Sequence, residues 1–211
     1  MRNYYKIIKE KTSIDPKTIL EIGSRDGDDA NILKELFNIN DSDVWVVEPN
    51  PKQQIKIFDR YPNFNLVKYA VFNEEKTLIF NAINDSNLVG VSSLLERNDK
   101  LYDNVNTDKI LVKTILGKNL LKDINKDIDL CKKDVEGATY EVLVSFGEDI
   151  KNIKSMHLEN EHKEVWENQK LYSEVKSYLI SRSFIEVHFE YVNNIELQSD
   201  SIWIQDKYLS K

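Results

Sequence analysis

Residues 19–33 read "ILEIGSRDGDDANIL". The stretch opens as an apolar run of strand length and turns through a loop bounded by Gly23 and Gly27. It then continues as a helix in which Ala30, Leu33, Leu36 and Phe37 recur at helical spacing. Upstream, a short helix is expected over residues 4–11. Downstream, "SDVWVVEPN" is a second strand stopped by Pro49, and "PKQQIKIFDRY" is a helix with Pro51 in its first turn. "FNLVKYAVF" follows as a third strand. Strand, helix, strand, helix, strand with short links predicts a parallel sheet covered by helices on both faces.

The middle of the chain is less regular. "KTLIFNAI" and "DKILVKTI" read as short strands with "SNLVGVSSLLERNDK" between them, which predicts an insertion over about 73–126 near the sheet's active edge. The alternation then resumes: "KDIDLCKKDVEG" as a strand, "ATYEVLVSFGEDI" as a helix, "IKSMHLENE" as a strand, and "KEVWENQKLYSEVKSYLISR" as a long amphipathic helix. "FIEVHFEY" and "SIWIQDKY" alternate apolar with polar residues and predict a closing antiparallel hairpin.

With 211 residues, 41% hydrophobic, the chain suits one domain over residues 1–211 around one substantial core. A net charge of -7 argues against nucleic acid as a partner. The lone Cys131, inside an apolar run, reads as a core residue and points to a reducing compartment. The start, "MRNYYKIIKEK", has no apolar leader, and no run of about 18 apolar residues occurs, so a cytoplasmic protein without membrane contact is expected. Oligomeric state is not legible.

In an open parallel sheet, ligands bind beyond the carboxyl ends of the strands where strand order reverses, which is where the opening loop lies. Gly23 and Gly27 permit close backbone approach, and the helix from Asp28 offers unpaired N–H groups. The spacing G-S-R-D-G after Glu21 is not the G-x-G-x-x-G of dinucleotide binders. Instead, E-x-G-x-x-x-G resembles the first motif of class I S-adenosylmethionine-dependent methyltransferases.

"VVEPNP", "VSSLLER" and "IDLCKKDVEGATYEVL" extend the likeness, and together they resemble the FkbM family over roughly residues 18–208. The resemblance implies an α/β, Rossmann-like seven-stranded mostly parallel sheet with a C-terminal antiparallel hairpin, and S-adenosyl-L-methionine as cofactor. It places Glu48, followed by Pro49, on the ribose hydroxyls, and Tyr69, Ala70 and Val71 where the adenine packs. Gly23 and Gly27 would admit the amino-acid portion, with Glu21 and Asp28 helping to fix it; Ser24 and Arg25, in the same loop, count among the cofactor-binding residues, Arg25 without a specific role. Asp134 falls beside the reacting methyl or the cofactor's amino end. One departure is that Thr139 stands where the family usually has an acid, two positions after Gly137, and the acid Glu141 comes two residues later.

An alcohol acceptor must lose a proton. Asp134, Glu136 and Glu159, at the ends of two strands, are the candidate bases or acceptor-orienting groups, and His162 is a further one because imidazole titrates near neutrality. Glu136 also reads as a helix-start acid. Along "HLENEH", His157 and Glu159 share a face, while Glu161 and His162 are expected in the following loop. Asp134 with Glu159 resembles the carboxylate pair that holds a divalent ion in some sugar methyltransferases, but the spacing carries no metal signature and no metal is assigned. Ser92 and Ser93 either line the pocket or cap a helix.

The expected activity is O-methylation of a hydroxyl on a sugar, glycan or small metabolite. Alternatives are methylation of RNA or protein, a non-catalytic nucleotide-binding module, and a nicotinamide-dependent oxidoreductase with a deviant loop.

Overall fold

The computed structural model describes residues 1–83, 89–98, 107–192 and 196–210. Parts of the expected insertion, 84–88 and 99–106, and part of the hairpin connection, 193–195, lie outside the described residues.

In chain order the elements are α1 (Arg2–Lys11), β1 (Ile19–Ile22), α2 (Asp28–Phe37), β2 (Val44–Val47), α3 (Pro51–Arg60), β3 (Asn65–Val67), β4 (Ala70–Val71) and β5 (Thr77–Ile83). There follow β6 (Thr107–Ile115), α4 (Gly117–Ile124), β7 (Leu130–Lys133), α5 (Thr139–Ser145), β8 (Ser155–Glu161), α6 (Tyr172–Ser181), β9 (Phe184–Tyr191) and β10 (Gln198–Gln205).

Seven strands form the main sheet in the order β3-β2-β1-β7-β8-β10-β9. Every pair from β3 to β8 is parallel, and β10 runs antiparallel to both neighbours, so the terminal hairpin inserts its second strand beside β8. Order reverses at β1, whose carboxyl end, with those of β2 and β7, opens the crevice. The central strands β1 and β7 are four residues long and buried throughout, as a doubly covered sheet requires. Alternation sorts their side chains. Leu20, Ile22, Val47, Cys131 and Leu158 join α4, α5 and α6 on one face, whereas Ile19, Val44, Val46 and Leu130 join α1, α2 and α3 on the other.

Three expectations about elements are corrected. "FNLVKYAVF" is not one strand: β3 belongs to the main sheet, and β4 pairs with β6 in a separate three-stranded sheet of order β4-β6-β5. Lys68 and Tyr69, between them, carry the chain from one sheet to the other. That second sheet spans Ala70–Ile115, while α4 packs Leu120, Leu121 and Ile124 into the main core.

The helix expected over 163–182 is confined to α6. Its first half is a loop in which Trp166 is buried, Asn168 is left-handed, and Gln169 Oε1 accepts the N–H groups of Val165 and Trp166. Burying Trp166 against Gly137 outweighs the helical pattern, because the glycine leaves room that a Cβ, 2.9 Å from the indole, would fill. Finally, Glu161 lies within β8 rather than in a loop, leaving His162 just beyond it.

Candidate active site

The crevice is a cleft walled by the first loop, the end of β2, the second sheet and the segment after β7. Gly23 (φ 78°) packs its Cα so tightly that an added Cβ would lie 1.7 Å from the Asp134 carbonyl oxygen. That contact joins the ends of β1 and β7 and sets the floor. Gly27 (φ 79°) caps α2.

Glu48 is buried at the end of β2 and lines the cleft. Its Oε2 accepts the Arg25 N–H at 2.9 Å and its Oε1 the Asn50 N–H at 2.7 Å, which holds the carboxylate in one orientation. Burial pushes its pKa up to about 7 despite those bonds. Arg25 takes a left-handed conformation (φ 53°) to make its bond, and its guanidinium lies against Gly90, with Nη1 3.3 Å from where a Cβ would stand. The residue therefore ties the first loop to the second sheet's connecting segment.

Glu21 has a different surrounding. It is 1% exposed, and its Oε2 accepts the Ser24 hydroxyl and the N–H of Ala30, one of the orphan donors in the first turn of α2. Burial pushes it up to about 8 against the pull of Lys132. Glu21 and Ser24 are thus a tertiary cap for α2. Asp28 accepts the Tyr61 hydroxyl and pairs with Arg60. Together with Asp29, Lys132 and Asp134, Glu21, Ser24 and Asp28 line an adjoining polar recess that meets the cleft at Gly23, Arg25, Gly90 and Asp134.

Ala70, Val71, Pro49 and Ser92 line the cleft. Tyr69 is not among the lining residues and is 39% exposed, because the sheet switch turns it outward. Ser93 is buried: its hydroxyl donates to the Glu136 carbonyl at 2.6 Å and accepts the Leu95 N–H. Residues 94–98, which follow the serines, are not helical, so neither serine caps a helix there. Gln53, Asn50, Phe80 and Leu94 also line the cleft and were missed. Gln53 was legible only as an average helical position; Phe80 and Leu94 depended on how the second sheet folds over the opening.

Asp134 and Glu136, just beyond β7, and Glu159, within β8, each place one oxygen within 4.8 Å of the others. Glu136 is 9% exposed with a left-handed backbone (φ 42°). Its carboxyl pKa is raised first by burial, then by Asp134 and Glu159. Burial, Asp134 and Glu161 push Glu159 up to about 8. Lys132 bonds Asp134 at 3.0 Å and also reaches Asp29 at 3.2 Å. On the opposite side of β7, Lys133 is 1% exposed and pushed down by burial, with Glu161 the nearest compensating charge. Glu161 Oε1 accepts the Gly137 N–H at 2.9 Å.

His162 is not brought to this group. Its ring sits among Tyr172, Phe189 and Tyr191, its Nε2 pairs with the Ser199 hydroxyl, and desolvation lowers its pKa.

The sheet order, the crevice at β1, the glycine loop and the acid ending β2 together define a Rossmann-like methyltransferase. A family model described as the methyltransferase FkbM domain matches residues 21–187. The chain belongs to that family, and S-adenosylmethionine is its cofactor.

Among solved structures, the methyltransferase FkbM from Methylobacillus flagellatus KT aligns with a TM-score of 0.58 at 10% identity, covering 90% of this chain and 44% of that one. The chain thus spans less than half the length of that protein. Fibrillarin from Aeropyrum pernix, determined with bound S-adenosyl-L-methionine, aligns with a TM-score of 0.52 at 8% identity, covering 90% of this chain and 68% of that one. TrmK from M. capricolum, in complex with S-adenosyl-homocysteine, gives 0.50 at 9% identity, covering 99% and 70%. At such identities the likeness establishes the fold. None of the curated proteins compared matches this chain.

Proposed function

We propose that the chain O-methylates a hydroxyl of a sugar, glycan or small metabolite. The observation that carries this reading is the cluster of Asp134, Glu136 and Glu159 beside the cleft, a set of carboxylates able to orient a hydroxyl.

Bound S-adenosylmethionine supplies an electrophilic methyl group. The chain's own residues bind and orient around it. The lone pairs of Glu48 that backbone donors leave open accept the two ribose hydroxyls. Ala70 and Val71 give an apolar wall for the adenine, and Gly23 and Gly27 admit the amino-acid portion against the recess lined by Glu21 and Asp28. Asp134, in contact with both cleft and recess, marks the reacting end. Phe80 and Leu94 cover the opening and exclude water. Asp134, Glu136 and Glu159 orient the acceptor's hydroxyl from beside the cleft. His162, engaged elsewhere, is not the base.

Calorimetry with S-adenosylhomocysteine and NAD, followed by methyl-transfer assays over polyols, sugars and tRNA, tests the reading. Binding of the sulfur cofactor product with turnover only on hydroxyl acceptors is expected. Binding of NAD alone, or methylation of tRNA alone, would overturn it.

A further inference from the structure

We propose that Asp134, Glu136 and Glu159 bind a divalent, oxygen-coordinated cation of the Mg²⁺ or Mn²⁺ type beside the cleft. Three carboxylate oxygens within 4.8 Å of one another lie within the span that ligands of a common ion occupy, since such oxygens sit about 2.0 to 2.6 Å from the ion.

A second observation points the same way. Glu136 is 9% exposed, and among the described residues its Oε2 accepts a hydrogen bond from no donor. A buried carboxylate oxygen left in that state is unfavourable, and a cation satisfies it. The other two carboxylates each have one oxygen engaged: Lys132 holds Asp134 Oδ2 at 3.0 Å and Gln198 Nε2 holds Glu159 Oε1 at 2.9 Å. Such outer contacts orient ligands and leave the remaining oxygens to face the ion.

Neighbouring cations do not replace the ion. Lys132 is already shared with Glu21 and Asp29, Lys133 is drawn chiefly toward Glu161, and Arg97 acts on Glu136 alongside three carboxylates. The donor set holds only oxygen, which suits hard ions of the Mg²⁺ or Mn²⁺ type. Because Asp134 also lines the cleft, an ion there has coordination positions free for adjacent acceptor oxygens, which it would orient toward the cofactor. That use of the ion rests on the proposed hydroxyl acceptor; binding of the ion does not.

Titrating Mn²⁺ into the protein and following the free-ion electron paramagnetic resonance signal, with Mg²⁺ as competitor, tests the site. One saturable site per chain is expected, weakened roughly tenfold or more in Glu136→Gln and in Glu159→Gln, with S-adenosylhomocysteine affinity retained as evidence of folding. If Glu136→Gln loses that affinity, Glu159→Gln, on a more exposed position, decides. No saturable binding, or binding unchanged in a folded variant, overturns the proposal. S-adenosylhomocysteine binding without Mn²⁺ binding sinks the cation site alone, whereas the reverse sinks the methyltransferase reading and leaves the site standing.

Discussion

Glu48 is 5% exposed and gives each of its oxygens one backbone N–H, from Arg25 and Asn50. Its orientation is therefore set before any ligand arrives, so little ordering remains at binding. Glu48→Gln preserves shape, removes the charge, and turns one acceptor into an amide NH₂ donor that faces a backbone N–H. Affinity for S-adenosylhomocysteine is expected to fall roughly ten- to hundredfold, as the loss of charge-assisted bonds implies. Unchanged affinity by calorimetry would remove Glu48 from the cofactor site. Arg25 shows why residue roles escape a linear reading: besides its guanidinium against Gly90, it contributes a backbone N–H and a left-handed turn, neither of which its side-chain chemistry announces.

Among the elements, the turn from β1 to α2 depends on how closely two strand ends approach. At Gly23 an added Cβ would meet the Asp134 carbonyl, which belongs to another strand's backbone and cannot swing aside; at Gly147 (φ 55°) nothing lies within 4 Å. Gly23→Ala is expected to lower stability to urea by on the order of 3 to 5 kcal/mol. Gly147→Ala should cost only about 1 to 2 kcal/mol of left-handed strain. Equal losses would mean that strain alone, not the β1–β7 contact, makes glycine necessary.

The same scale separates legible elements from illegible ones. The helices α2 and α3 carry local signals, a left-handed Gly27 and a Pro51 start after Asn50, whose side chain accepts the Lys52 N–H. By contrast, the divided third strand and the loop before α6 answer to distant partners, Ile115 and Gly137.

For the whole molecule, stability should depend on pH through its buried acids. Glu21 and Glu48 titrate near 8 and 7 in the folded chain, above their ordinary value of 4.5, with burial the largest cause in both. The folded state therefore holds protons that the unfolded state has released. Their stabilising contribution is full below about pH 4.5 and is lost as pH rises through 7 to 8. The melting temperature at pH 5 should exceed that at pH 8, by a loss on the order of a few kcal/mol in unfolding free energy. A melting temperature that rises over this interval would contradict the burial of these groups. Glu21→Gln should flatten the decline, since the amide has no proton to lose.

The order of local patterns along the chain, together with E-x-G-x-x-x-G, Glu48 and "DVEG", determined the sheet class, the crevice at β1 and the cofactor. The sheet class and the crevice follow from side-chain periodicity and turn chemistry within a few residues, and the cofactor from the family resemblance those motifs carry. Only tertiary structure decided that Glu21 caps a helix, that Tyr69 turns outward, that His162 belongs to an aromatic cluster, and that Glu136 joins Asp134 and Glu159. Each of these rests on contacts between groups far apart in the chain, and burial and charge at such contacts are properties of neighbours that linear order does not contain.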